Sequence, residues 1–585
     1  MSHLQAAFAP PGSFTPFNRW LCQMKIFVLT ACAQNPEEKL FLNDERNAFA
    51  PDDQTRIIND FDQIGVEAAV RLMEAGAADD VTVFHLGDAM PLLYKALAIG
   101  ASRAVICHAI DSQISSGSVV DAALRACDDP QNTLFICGKL NVNFESAQTA
   151  QRLAQALHCP CIPCAKSITP LQDGSLDIAC EDDQGSPHYK ASTPLVVTTD
   201  LRLAEVRFPS LPSIIKAKRK PVLVHEFRHS DKYDWELETD TMIEMTKSHH
   251  KCRFISMDDA VKLIQDAKSD LSAPTKTDAC PELSKLRELY HNSPLSILYV
   301  GAPESVSDAR LDQFAAFAEF ARTDPVIVTS NVCQNELLNA AKARHIKLAK
   351  IESHTPFAAA KAAESLAQAL ENLPIHSILA AHTPRNIQVL AELASAAQIA
   401  FCPNLASDHA RPARLISAGT FIELLKPFRT PFCATLSDTG PLRLDAHARP
   451  LHFNAFHPAC MTAFEPLTSE GTPEGARLIF SVGRGAASLL DDIRPLAKHY
   501  GAALGASRVV VDMGLIDNAH QVGLTGHIVS PDLYVALGIS GAIQHQAGLR
   551  NAPQILAINN DKNAPIFEFA HYGVLADVNE LIKKL

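Results

Sequence analysis

Short apolar runs alternate with stretches of helical period along most of this chain. Runs over 81–84, 104–107 and 134–137 read as buried strands, with helix-like stretches over 92–98 and 119–126 between them. Ala150, Leu153, Ala154 and Leu157 then recur at i, i+3, i+4 and i+7, the spacing of one helical face. The same order returns about 240–245 residues later, with strands over 326–329, 347–351 and 378–381 and a helix over 336–343. Thr355-Pro356 and Thr383-Pro384 each pair an N-cap with proline at the first helical position. The second of these opens a helix marked by Ile387, Leu390, Ala391 and Ala394. Strands alternating with helices predict an α/β chain of several doubly wound, mostly parallel-sheet domains, and the period is too long for a solenoid.

A third α/β unit follows. Its expected strands are 478–482, 509–511, 533–537, 555–558 and 566–569, with a closing helix over 578–585. Residues 268–294 are rich in Ser, Thr, Lys, Asp and Pro, which predicts a linker. Residues 1–23 hold one arginine, Arg19, and Pro10-Pro11. They lack the apolar core of a secretory signal and the several arginines of a transit peptide, so a disordered extension ahead of Met24 is expected.

Composition narrows the function classes. The 585 residues suit about three to five domains. A formal charge of −13 without a long basic run argues against nucleic acid as a partner. No stretch of about 18 apolar residues is present to insert in a membrane. The 15 scattered cysteines fit a reducing compartment such as the cytoplasm. In Cys159-Pro160-Cys161-Ile162-Pro163-Cys164 the thiols are expected to be buried at a strand entry rather than to hold a metal. His225, His229, His249 and His250 sit in polar stretches and are expected to be solvated. With no Ser/His/Asp or zinc constellation, no catalytic residue and no metal are expected.

The candidate chemistry lies in the third unit. Gly483-Arg484-Gly485 follows a strand, Gly505-Ala506-Ser507-Arg508 comes next, and Gln521-Val522-Gly523-Leu524-Thr525-Gly526 forms a small-residue loop. The 533–537 strand then runs into Gly538-Ile539-Ser540-Gly541-Ala542-Ile543-Gln544-His545. A strand, a glycine turn and a helix start offer free N–H groups and a favourable dipole to phosphate. Four such turns, two with arginine, point to a nucleotide carrying a pyrophosphate.

These segments, followed by Ala557-Ile558-Asn559, Ala564-Pro565-Ile566-Phe567, Tyr572-Gly573 and Asp577, resemble the FAD domain of the electron transfer flavoprotein α subunit. The first half resembles the β subunit of that family. The residues carrying this likeness are Asn59–Glu67, Lys95–Ala101, and the loop from Asp200-Leu201-Arg202-Leu203 through Leu211-Pro212-Ser213-Ile214-Ile215-Lys216-Ala217-Lys218. The resemblance implies a β-like part over 24–267, the linker, an α-like N-terminal part over 295–476 similar only in layout, and an FAD-binding part over 477–585. The two N-terminal parts would be adenine-nucleotide-hydrolase-like domains, and one chain would replace the usual heterodimer as a monomer. It also implies an electron carrier with FAD, not an enzyme, serving fatty acid beta-oxidation. Partners would be flavoprotein dehydrogenases of the acyl-CoA dehydrogenase type and a quinone-linked oxidoreductase, in the cytoplasm or, in a eukaryote, the mitochondrial matrix.

By the same resemblance, Arg484 would meet the FAD phosphates, Ser507 the cofactor and Arg508 the isoalloxazine ring. Gln521, Val522, Gly523, Leu524 and Thr525 would line the flavin. Ser540, Gly541, Ala542, Ile543, Gln544 and His545 would hold the pyrophosphate and ribityl side, and Asn559 and Asp577 the adenosine. Leu211, Pro212, Lys216 and Lys218 would dock the partner, unless Leu211 is buried and the lysines form a solvated face.

Two departures matter. The family's Q-V-G-Q-T-G-K loop has Leu524 and His527 here in place of the second Gln and the Lys. The β subunit's N-Q-T-G turn, which holds AMP, reads Ala147-Gln148-Thr149-Ala150, where Ala150 would be strained if the turn needs positive φ. AMP therefore stays open, with Asn59, Gln148 and Thr149 as its remaining contacts. So do a bifurcating relative with a second FAD and a non-redox adenine-nucleotide-binding scaffold.

Overall fold

The structure, a computed structural model, describes residues 24–35, 40–50, 56–88, 90–109, 115–180, 185–228, 239–244, 252–267, 294–300, 308–329, 337, 341, 343–350, 359–406, 413–416, 421–426, 431–436, 448–466, 473, 476–517, 520–523, 526–527, 529, 531–542, 545–546, 548–549, 552 and 554–585. The expected extension over 1–23, the linker up to residue 293, the Thr355-Pro356 cap and His229, His249 and His250 lie outside these residues, as does most of the 336–343 helix.

Fold class follows the apolar pattern. The 81–84, 104–107 and 134–137 runs become the strands Asp80–Leu86, Arg103–Ala109 and Thr133–Gly138. With Lys25–Thr30 they form the parallel centre of a ten-stranded sheet, in the order Val222–Phe227, Arg103–Ala109, Asp80–Leu86, Lys25–Thr30, Thr133–Gly138, Leu195–Thr199, Cys161–Pro170. Antiparallel strands Leu176–Cys180, Gly185–Ala191 and Cys460–Pro466 extend it. Strands such as Thr133–Gly138 are apolar on both faces because helices cover both sides of the sheet.

A second sheet repeats this order with Lys347–Lys350, Asp324–Thr329, Leu295–Val300, Pro374–Ala381, Phe432–Leu436 and Ala400–Ala406, then Ala413–Ile416, Phe421–Leu425 and Thr239–Glu244. The Thr383 cap forms as the sequence predicts, its side chain accepting from the Asn386 N–H at 3.2 Å. The two sheets exchange edge strands. Thr239–Glu244, which follows the first sheet in the chain, completes the second, and Cys460–Pro466, which follows the second, completes the first.

The third sheet is wholly parallel, in the order Arg253–Phe254, Tyr572–Leu575, Ile555–Asn559, Leu533–Leu537, Leu478–Val482, Ala503–Ala506. Ala260 and Ile264 of the Met257–Asp266 helix join its core.

Two expected strands of this unit are helices. Residues 509–511 fall in the helix Arg508–Asp512, and 566–569 are the helix Ile566–Phe569. Both runs have strand-like β-branched or aromatic residues, but the sheet positions are taken by neighbours. Gly501 in the left-handed region ends the Leu490–Tyr500 helix, and Ala503–Ala506 pairs at once with Leu478–Val482. Tyr572–Leu575 likewise takes the place beside Ile555–Asn559. Sheet register overrode the local propensity.

Cys159 and Cys161 are buried at the strand entry, and burial pushes the Cys159 thiol up to about 12. Among the described residues no group of three His, Cys, Asp or Glu side chains could hold a metal ion. No helix among them is long and apolar enough to cross a membrane. His225 is exposed.

Candidate functional site

In chain order the strands of the third sheet are Leu478–Val482, Ala503–Ala506, Leu533–Leu537, Ile555–Asn559 and Tyr572–Leu575. In space the second lies on one side of the first and the third on the other. This 2-1-3-4-5 order has its switch point between the first and third strands, and ligands of open α/β sheets bind outside the carboxyl ends there. Two glycine turns meet at that point. A Cβ on Gly483 would lie 2.3 Å from the Gly538 carbonyl oxygen, and one on Gly538 (φ +64°) would lie 2.6 Å from the Ala486 nitrogen. The Gly485 N–H donates to the Gly538 oxygen at 3.1 Å. Arg484 projects exposed from this joint.

Ser507 and Arg508 leave the end of the neighbouring strand. Ser507 stands at the N-cap, yet its hydroxyl makes no capping bond. Arg508 is exposed, with Nε 3.5 Å from Asp512 Oδ2. Gln521 and Val522 are buried beside them, the Val522 N–H donating to the Ala506 oxygen at 2.9 Å. The His527 N–H donates to the Gln521 oxygen at 2.7 Å, and the Gly523 N–H donates to the His527 oxygen at 3.1 Å. That tight loop carries Gly523 at φ +148°. Leu524, Thr525, Ile543 and Gln544 lie outside the described residues.

After the third strand, Ser540 and Ala542 are exposed and Gly541 adopts φ +88°, where a Cβ would lie 2.4 Å from the Ile566 nitrogen. His545 is buried below, its Nε2 3.0 Å from the Tyr534 hydroxyl, with the Val522 backbone also against the ring. Burial lowers His545 to about 4, so the ring is neutral near pH 7, and burial raises Tyr534. Tyr534 was not singled out from the sequence, because a tyrosine within an apolar strand gives no sign of its partner. Asn559 donates from Nδ2 to the Ile539 oxygen at 2.8 Å and accepts from the Asp561 N–H at 2.9 Å, tying the third and fourth turns together. Asp577 caps the Val578–Ile582 helix, accepting from the Asn579 N–H at 2.8 Å.

Thus the structure brings Arg484, Ser507, Arg508, Gln521, Val522, Gly523, Ser540, Gly541, Ala542, His545 and Asn559 to one edge of the sheet. Asp577 lies at its far end. Four interstrand spacings separate the outer of these strands, about 19 Å, the reach of an extended dinucleotide.

The first sheet treats its corresponding crevice differently. The Asp62 carboxylate accepts from the Ala31 and Gly138 N–H groups, each at 2.8 Å, and burial raises it to about 7. Asn59 donates to the Leu140 oxygen at 2.9 Å and accepts from the Val142 N–H at 3.1 Å. Gln148 donates to the Phe401 oxygen at 2.5 Å, and Gln151 to Gln388 Oε1 at 2.5 Å, both across to the second sheet's half. Ala150 lies within the helix Thr149–Leu157 and is not at positive φ, so the expected strain is absent. A turn closing directly into a helix needs no left-handed residue there.

Leu211 is 70% exposed, so the alternative of a buried leucine is excluded. It opens the helix Leu211–Ala217 behind the Ser210 cap, with Pro212 in the first turn and Lys216 and Lys218 exposed.

Residues 474–550 match the electron transfer flavoprotein FAD-binding domain, and residues 47–229 match the electron transfer flavoprotein domain. Over 126 residues it is 47% identical to the electron transfer flavoprotein subunit alpha of Bradyrhizobium diazoefficiens, covering 21% of this chain and 40% of that one. Over 125 residues it is 46% identical to the same subunit of Pseudomonas aeruginosa, again 21% and 40%. A probable mitochondrial subunit alpha of Cryptococcus neoformans is 48% identical over 129 residues, 21% of this chain and 36% of that one. The chain thus spans about 40% of the length of these curated relatives. The FAD-binding match includes the switch-point turns and stops before Asn559 and Asp577. The 47–229 match includes Leu211, Pro212, Lys216 and Lys218.

Proposed function

We propose that this chain is an electron transfer flavoprotein in which a β-like half is fused ahead of an α-like half. It takes electrons from flavoprotein dehydrogenases of the acyl-CoA dehydrogenase type and passes them to a quinone-linked oxidoreductase. The observation that carries this reading is the gathering of Arg484, Ser507, Arg508 and the Gly483–Gly538 joint at one switch point, inside an FAD-binding domain.

The residues present fit FAD. The glycine joint allows close backbone approach, the exposed arginines supply forked cations for phosphate, and the Ser507 hydroxyl is not taken by a cap. FAD, when bound, supplies the reversible uptake and release of electrons. The chain's own residues bind and tune it. Arg484 would hold the phosphates, and Arg508, held at a helix start, would supply the positive charge that favours a reduced, anionic flavin. Neutral His545, fixed by Tyr534, supports the loop after the third strand without adding charge. No nucleophile or general base is needed, so the chain acts as a carrier.

The exchange of edge strands supports the fusion, since each half completes the sheet of the other. Covalent linkage makes that assembly intramolecular, with a high effective concentration, and a monomer follows. The Leu211–Ala217 helix docks the dehydrogenase with Leu211, Pro212, Lys216 and Lys218. The cytoplasm, or the mitochondrial matrix in a eukaryote, is the compartment this reading requires.

The deciding experiment is the visible spectrum of the purified chain with a flavin count. One FAD per chain, reduced by an acyl-CoA dehydrogenase with its substrate, is expected. A protein that stays colourless after incubation with FAD overturns the assignment.

A further inference from the structure

Beside the first sheet's crevice lies a thiol with a base and a cation against it. Cys32 opens the strand Cys32–Gln34, which follows Lys25–Thr30 past the carboxyl end of the sheet. His85 stands near the end of the neighbouring strand Asp80–Leu86, opposite Thr30. Its ring is buried, with Nδ1 2.8 Å from the Thr30 oxygen and Nε2 3.6 Å from Cys32 Sγ. A carbonyl only accepts, so Nδ1 carries the proton and Nε2 turns its lone pair to the thiol. The ring is neutral near pH 7, since burial lowers it to about 4.

The strand Arg56–Ile58 pairs antiparallel with Cys32–Gln34, with Cys32 opposite Ile58 and Gln34 opposite Arg56. Alternation along the strands puts Arg56 on the face of Cys32, where it hydrogen-bonds the thiol. Arg56 Nη2 also donates to the Asp88 oxygen at 2.6 Å, which holds the guanidinium in place. Burial, the largest influence, raises the Cys32 thiol, Arg56 lowers it, and the Asp62 and Asp88 carboxylates raise it further. The thiol is therefore S–H at rest and needs a proton acceptor before it attacks. His85 is placed as that acceptor, and the Thr30 carbonyl orients it, which is the order of nucleophile, base and orienting group. At Cys107 and Cys433, by contrast, burial alone shifts the thiol upward. A guanidinium beside Sγ repels a metal ion and stabilises an anionic sulfur product. Cys32 is half-buried, which suits a small reagent.

We propose that Cys32 is a peroxide-reactive thiol, with His85 as its proton acceptor and Arg56 as the cation that stabilises the product. His85 Nε2 takes the thiol proton, and the sulfur attacks one oxygen of hydrogen peroxide. The S–O bond forms as the O–O bond breaks. The leaving hydroxide takes the proton from His85 Nε2 and departs as water, and Cys32 is left as sulfenic acid. The sulfur loses two electrons and the peroxide gains the same two. A thiol reductant then restores Cys32 through a mixed disulfide.

The test treats the full chain with hydrogen peroxide, traps sulfenic acid with dimedone and follows each cysteine by peptide mass spectrometry. Cys460, which is exposed, is the reference. Exposure alone favours Cys460, whereas Cys32 is expected to be trapped about tenfold faster. His85→Gln keeps a polar side chain but takes no proton, and should slow trapping at Cys32 about a hundredfold with Cys460 unchanged. Arg56→Gln should slow it about tenfold, and Arg56→Lys should restore most of the loss. Cys107, buried in the same sheet, stays untrapped while a variant is folded. Trapping at Cys32 no faster than at Cys460 in the wild-type chain overturns the proposal, whatever the variants do. An unchanged rate in folded His85→Gln overturns the role of His85. A disulfide at Cys32 in place of the adduct, or zinc retained by the wild-type chain and lost with Cys32→Ser, overturns the sulfenic acid as product.

Discussion

The first and third sheets have the same kind of crevice, at a switch point beyond the carboxyl ends of parallel strands, and use it in opposite ways. In the first, Asp62, Asn59 and Gln148 bond to the backbone of neighbouring turns or of the second sheet's half. In the third, the glycine turns interlock, Arg484, Arg508 and Ser540 are exposed, and the Ser507 hydroxyl makes no capping bond. A fold supplies the crevice, and the side chains decide whether it is closed by bonds within the protein or left with polar groups exposed.

The largest expected effect comes from breaking the glycine joint. Gly538→Val puts a branched side chain at positive φ against the Ala486 backbone. It should cost more than about 4 kcal/mol in the third unit and abolish flavin binding, leaving the transition of the ten-stranded sheets in place. Calorimetry and released flavin check this, and flavin retained at the wild-type level would remove the site from this edge.

Acidification should separate the two regions next. His545 and His85 both have folded values near 4, below the ordinary 6.5, because burial penalises their charged forms. Protons therefore favour the unfolded chain, and each group loses about 2 kcal/mol of stability between pH 7 and 5. Asp62 runs the other way. Its folded value near 7 lies above the ordinary 3.8, so the folded state binds the extra proton and gains about 2 kcal/mol over that interval. The third unit should weaken on acidification while the first sheet holds nearly level. His545→Gln should flatten the first response, and Asp62→Asn should uncover that of His85. Equal shifts of both thermal transitions in the wild-type chain would contradict this.

A smaller change is expected from Gln148→Ala. It leaves the Phe401 oxygen without this donor and should cost about 1–2 kcal/mol in denaturant unfolding of the joined sheets, with no change in flavin content. Smallest in stability is Arg508→Ala, within about 0.5 kcal/mol because the side chain is exposed. The same change should raise the FAD dissociation constant about tenfold, read by flavin fluorescence on dilution. Loss of stability without loss of affinity would make Arg508 a structural residue.

Much of the site was legible before the structure, because its chemistry is local. Gly483-Arg484-Gly485 and Ser507-Arg508 are turns next to strands, and turns advertise themselves through glycine. The 509–511 and 566–569 runs misled for the converse reason. Their side chains suit a strand, and only the pairing of Ala503–Ala506 and Tyr572–Leu575 shows that the sheet had no room for them. Cys32 looked ordinary in sequence because only the fold brings His85 against it.

By itself the sequence determined the α/β class, the repeated order of the first two units and the glycine-arginine turns of the third. These follow from periodicity and from the backbone limits of single residues. The tertiary structure alone decided that the two halves exchange edge strands, that Gln148 joins them, that His545 is neutral beside Tyr534 and that His85 meets Cys32. Each of these depends on contacts between residues far apart in the chain, and no local pattern encodes which distant partner a side chain will meet.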